Sequence, residues 1–138
     1  MLIFEYSFLF SVPITTDAPE EQWGLQGTDA KVKCAVTGNP APTVIWTMNG
    51  NNLASSDKYK IEADHLLIKN VESTDDQTYV CGITEFTSFF SKDISIKFEV
   101  VVAPSIDTAP AISPDHPKEG DEVTLSCTAS GKPAPTYQ

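Results

Sequence analysis

Cys34, Trp46 and Cys81 constrain this chain more than any other residues: the tryptophan follows the first cysteine by twelve positions, and the second cysteine follows it by forty-seven. Tyr79 stands two residues before Cys81, and Asp75 four before the tyrosine. These residues fall in or beside short segments in which every second residue is apolar, the pattern of strands with one covered face. Ala30, Val32 and Cys34 face one way while Lys31 and Lys33 face the other. Val44 and Trp46 follow the same rule, Leu66 and Ile68 flank Leu67, and Tyr79, Cys81 and Ile83 interleave with Val80 and Gly82. The clearest case is Ile94, Ile96, Phe98 and Val100, alternating with Ser95, Lys97 and Glu99. Turn-formers separate these runs: Asn39-Pro40-Ala41-Pro42, Asn49-Gly50-Asn51-Asn52 and Ser73-Thr74-Asp75-Asp76. With no helical period of useful length, the pattern predicts an all-β antiparallel sandwich.

A repeat sets the domain organisation. Gly27, Cys34, Gly38 and Pro40-Ala41-Pro42-Thr43 recur ninety-three residues later as Gly120, Cys127, Gly131 and Pro133-Ala134-Pro135-Thr136. In that register Trp46 would recur at position 139, one past Gln138. Residues 17–102 are therefore expected to form one complete sandwich, and residues 103–138 the N-terminal part of a truncated second copy. A segment that small cannot bury a core of its own, so only local pairing around Val123, Leu125 and Cys127 is expected in it. Cys127 either pairs with a cysteine of the missing part or is an intermolecular or redox-active thiol; nothing electropositive in the sequence around it favours the second. Residues 1–16 form an apolar extension. It has no basic start and no small-x-small cleavage site, carries Glu5, and is too short to span a bilayer. It is either a poor signal peptide or a spurious or preceding segment.

The block from Gly27 to Val102 resembles an intermediate-set immunoglobulin domain of the fasciclin II and neural cell adhesion kind. The resemblance rests on Gly38-Asn39-Pro40-Ala41-Pro42 ahead of Trp46, Asp57-Lys58-Tyr59, the run from His65 to Val71, and the run from Asp75 to Cys81, and covers about two-thirds of the chain. It implies a Cys34–Cys81 disulfide between two sheets, Trp46 packed against it, and Tyr79 tying the turn at Asp75 to the following strand. Asp76 is then expected to face water, and Ala103-Pro104-Ser105-Ile106 to be a short linker. Gln77 departs from the family, which has a small residue there. The implied role is cell-surface adhesion or recognition through protein ectodomains, like-to-like binding included, with any membrane tether outside this chain. Similar domains serve intracellular muscle filament proteins as spacers and stand in the ectodomains of receptor kinases and phosphatases. An intact bridge separates the filament reading from the others, because it needs an oxidising compartment.

Chemistry is sparse. Nineteen acidic against nine basic residues give a net charge of −10, which leaves no basic stripe for nucleic acid. The two histidines, His65 and His116, have no second metal ligand at useful spacing, and His65 reads as a surface residue. No nucleophile elbow or phosphate-binding loop is present. The chain is thus expected to be no enzyme and to use no metal, cofactor or small-molecule substrate. The candidate binding surface is the loop from Glu85 to Ser91, with Phe86, Phe89 and Phe90. Exposed aromatic clusters mark protein contacts. At least one of Phe89 and Phe90 is expected to fold back on the core, leaving Phe86 in water. Trp23 is the second candidate, or alternatively the cap of an inter-domain joint.

Overall fold

The computed structural model describes residues 12–138, so the stretch before Val12 lies outside the described residues. Among the described residues eleven strands follow one another: β1 (Val12–Asp17), β2 (Glu21–Leu25), β3 (Ala30–Lys33), β4 (Ala35–Asn39), β5 (Thr43–Met48), β6 (Asn51–Asn52), β7 (Tyr59–Ile61), β8 (His65–Ile68), β9 (Gln77–Glu85), β10 (Phe90–Ser113) and β11 (Thr124–Lys132), with one 3-10 turn at Ser73–Asp75.

Two layers enclose the core. In one, β3, β8 and β7 pair antiparallel, and β4 continues β3 past Cys34 to pair with β1. In the other, β6, β5, β9 and β10 run in order, and β2 lies parallel along β10. The chain changes layer between β1 and β2 at Ala18-Pro19-Glu20, where proline removes a ladder donor. Gly24 then allows β2 to lie close to the core: a Cβ there would come within 2.6 Å of both Ala30 Cβ and the Phe98 ring. Alternation puts Val32, Leu66, Ile68, Cys81, Ile83, Ile96 and Phe98 wholly inside, with Trp46 and Tyr79 the largest buried side chains. The Tyr79 ring meets Phe98 edge-on at 6.0 Å and Tyr59 at 6.3 Å.

Three features differ from the sequence expectation. The sandwich begins before residue 17, because Val12↔Asn39, Thr15↔Thr37 and Thr16↔Val36 pair β1 with β4. The turn at Asn49-Gly50 is tight enough for Asn51–Asn52 to pair back as β6: both turn residues have positive φ, 52° and 76°, the combination an Asn-Gly hairpin turn requires. Ala103-Pro104-Ser105-Ile106 is not a linker. It lies inside β10, which leaves the first sandwich and pairs directly with β11 through Val102↔Lys132, Ser105↔Ser130 and Ile106↔Ala129. Extended backbone suits Pro104, whose fixed φ is compatible with a strand.

Candidate functional site

The scaffold of the site is fixed by a covalent tie. Cys34, between β3 and β4, is bonded to Cys81 of β9 with Cα atoms 6.6 Å apart, joining the two layers. Trp46 lies directly opposite Cys81 in the β5–β9 ladder and is 1% exposed. Both belong to one buried cluster.

The turn ahead of β9 is built on a buried carboxylate. Asp75 Oδ2 accepts the Glu72 amide at 2.8 Å and pairs with Lys58 Nζ at 2.7 Å, and Lys58 also donates to the Asn70 carbonyl. The Tyr79 hydroxyl donates to the Asp75 carbonyl at 3.2 Å. Burial pushes the Tyr79 phenol far above its ordinary pKa, so it stays a donor. Two expectations for this region need correction. Asp76 does not simply face water: its Oδ2 accepts Lys132 Nζ at 2.6 Å and the Val100 amide at 3.0 Å, and these bonds hold its carboxyl below the usual range. His65 is partly buried rather than freely exposed. Its side chain is only 16% exposed and bonds Asp64 Oδ1 at 2.6 Å, which lowers the Asp64 pKa.

The exposed aromatic site is the loop Phe86-Thr87-Ser88-Phe89, closed by the pair Phe90↔Glu85. Glu85 turns inward and organises it. Its Oε1 accepts the Thr87 amide at 2.9 Å, and its Oε2 accepts the Ser88 amide at 2.8 Å and the Ser88 hydroxyl at 2.6 Å; the Thr87 hydroxyl lies 2.8 Å from both oxygens. The Ser88 hydroxyl, followed by the Thr87 amide, stabilises the carboxylate and holds its pKa at about 2. With the carboxylate occupied inside the loop, the rings point out: Phe86 is 80% exposed and Phe89 is 93% exposed. Phe89 adopts φ +55°, an uncommon conformation for a bulky residue, held by the turn around it. Phe90 instead packs against the core, so it adds no open surface.

The low pKa of Glu85 has a testable sign. A carboxyl depressed in the folded state contributes stability above its unfolded pKa near 4.5, and the contribution is lost as pH falls from there towards 2. In an NMR titration, the Thr87 and Ser88 amide resonances should follow a Glu85 midpoint near 2; a midpoint at 4.5 would mean that the carboxylate does not hold the loop.

Trp23, on β2, is 68% exposed and stands opposite Glu99 in the parallel ladder, at the other end of the sandwich from the phenylalanine loop. Beside it lie Leu25, Val101, Val102 and Pro133, so the structure places it where β10 leaves the first sandwich. The role of Glu85 was missed in the sequence, although the carboxylate followed by Thr87 and Ser88 is a turn signal of the side-chain-to-backbone kind. Lys132 and Asp76 are far apart in the chain, and no local pattern could have joined them. Among the described residues, no group of three or more His, Cys, Asp or Glu residues stands close enough to hold a metal ion.

Comparison with known proteins places this geometry. The family model of the immunoglobulin I-set domain matches residues 13–100. Fasciclin-2 of Schistocerca americana is 37% identical over 128 residues, which are 91% of this chain and 14% of that protein. The solved extracellular domains 3–5 of Drosophila OTK superpose with a TM-score of 0.64 at 26% identity, covering 88% of this chain and 42% of that one. Titin domains A168–A170 give the same TM-score at 19% identity over 86% of this chain and 42% of theirs, a likeness of fold alone. No catalytic family or fold is indicated among these matches. With its bridged two-layer sandwich and the match over residues 13–100, this chain belongs to the immunoglobulin I-set family and is related to cell-adhesion proteins of the Fasciclin-2 kind.

Proposed function

We propose that the chain is part of a non-catalytic cell-surface recognition protein built of tandem immunoglobulin modules. It acts by contact with protein ectodomains, like-to-like contact included. The carrying observation is the β9–β10 tip: two phenylalanine rings held outward by a turn whose own polar groups are satisfied. Such rings remove large apolar areas from water on contact. The Cys34–Cys81 bridge supports an extracellular setting and weighs against the filament-spacer reading, since thiols in the cytosol stay reduced. Residues 103–138 are read as the opening part of a second module, supported by the repeat of Gly120, Cys127, Gly131 and Pro133. Because the chain spans only 14% of its Fasciclin-2 relative, the partners of the whole protein are part of this proposal.

Phe86→Ser is the direct test. The ring touches water on most of its surface, so circular dichroism should report an unchanged fold. Sedimentation velocity over a concentration series should show association weakened by about tenfold or more, the scale of a lost aromatic anchor. Loss of the folded domain would show instead that the ring supports the sandwich.

A further inference from the structure

Two of the clefts among the described residues have walls of the same kind. The first, about 450 Å³, lies between Val12-Pro13-Ile14 with Asn39-Pro40 on one side and the Glu85 turn with Phe90 on the other. The second, about 470 Å³, lies between Val102-Ala103-Pro104 with Lys132-Pro133 on one side and Trp23, Leu25 and Val101 of the first sandwich on the other.

The two sets of residues occupy matching places. The pairs Val102↔Lys132, Ser105↔Ser130 and Ile106↔Ala129 repeat Val12↔Asn39, Thr15↔Thr37 and Thr16↔Val36. A Cβ on Gly131 would meet Pro104 at 3.0 Å and the Val102 carbonyl at 3.3 Å; one on Gly38 would meet Ile14 at 3.0 Å and the Val12 carbonyl at 3.6 Å. The hydroxyl pair Ser105–Ser130 stands where Thr15–Thr37 stands. The first cleft thus has this shared wall and a hairpin tip. The second has the same wall and, in place of the tip, the lower end of another sandwich. That lower end already grips the shared wall, through Lys132 Nζ on Asp76 Oδ2.

We infer that the two clefts are complementary halves of one head-to-tail joint, in which the β9–β10 tip of a module seats on the Trp23, Leu25 and Val101 ledge of the module before it. Phe86 and Phe89 are the rings that this chain's own tip brings to such a joint. Their partner is the lower end of another immunoglobulin module of this kind, presenting an apolar ledge beside acidic groups like Asp76 and Glu99. The inference rests on the reading of the tip as a protein contact and names what it contacts. Trp23, 68% exposed on that ledge, is then a joint residue.

The test adds one module ahead of the natural chain. A copy of residues 12–101 is joined directly to Val12, so that Val12 follows Val101 as Val102 does here, and the downstream Trp23 is replaced by Phe. Both copies of Trp46 are buried, so the upstream Trp23 dominates acrylamide quenching. Its quenching constant should fall about twofold or more, with a blue-shifted emission, relative to the same fusion carrying Phe86→Ser and Phe89→Ser in the downstream module. Equal quenching in both fusions, with both Cys34–Cys81 bridges confirmed by mass spectrometry, overturns the joint. The tip would still stand as a contact surface if Phe86→Ser weakens association of the natural chain. If the fusion does not fold, a mixture of two natural-chain variants decides. Trp23→Ala keeps the tip, Phe86→Ser/Phe89→Ser keeps the ledge, and only a head-to-tail contact restores in the mixture the association that each lacks alone. No recovery overturns the inference.

Discussion

Reducing the Cys34–Cys81 bridge should lower the unfolding free energy of the first sandwich by about 4 kcal/mol, the chain-entropy value for a closed loop of this length. The two cysteines are 47 residues apart in sequence, and the loop between them contains β4 to β8, so the bridge restricts most of the unfolded sandwich. Total stability for a domain of this size is about 5–15 kcal/mol. The loss is therefore a large share of what there is. Urea unfolding followed by near-ultraviolet circular dichroism, with and without dithiothreitol, measures it directly. The comparison belongs in a Cys127→Ser background, because Cys127 is an exposed free thiol able to exchange with the bridge. An unchanged midpoint on reduction would mean that packing around Trp46 holds the layers together without the covalent tie.

Asp75→Ala should be nearly as damaging, costing about 2–3 kcal/mol. Removing one partner of a fully buried ion pair costs about 3–5 kcal/mol. Here the figure is smaller because the Lys58 side chain is 32% exposed and regains some hydration. The Glu72 amide also loses its acceptor, although the Tyr79 bond to the Asp75 carbonyl survives the change. Asp75→Asn keeps an oxygen for that amide and should cost less. If alanine and asparagine are equally mild in urea melts, the Lys58 pair contributes little and the turn is held by its backbone.

The buried faces of β3, β8, β9 and the first half of β10 were legible in the sequence because each strand covers one side of a single core. Alternation is what such a strand must have. The same rule says nothing about a strand that simply continues, and Ala103 to Ile106 were read as a linker because Pro104 resembles punctuation. The edge strands β6 and β7 are too short to show a period. At the site, three phenylalanines in five residues have identical hydrophobicity and opposite fates. Glu85 decides between them, by closing a turn that leaves Phe86 and Phe89 outside while Phe90 enters the ladder. Asp76 was misplaced for a related reason: the exposure of a polar side chain depends on neighbours such as Lys132 that a reading of local sequence does not see.

The unbroken course of β10 has a mechanical meaning. The strand is gripped by β9 on one side and by parallel β2 on the other within the first sandwich, and then by β11 beyond it. Tension along the chain reaches the sandwich lengthwise through that strand, so the flanking ladders are loaded in shear, many hydrogen bonds at once. Torque passes the same way. A rotation of β11 about the strand axis is carried back along β10 into the first sandwich, with no slack segment between to absorb it.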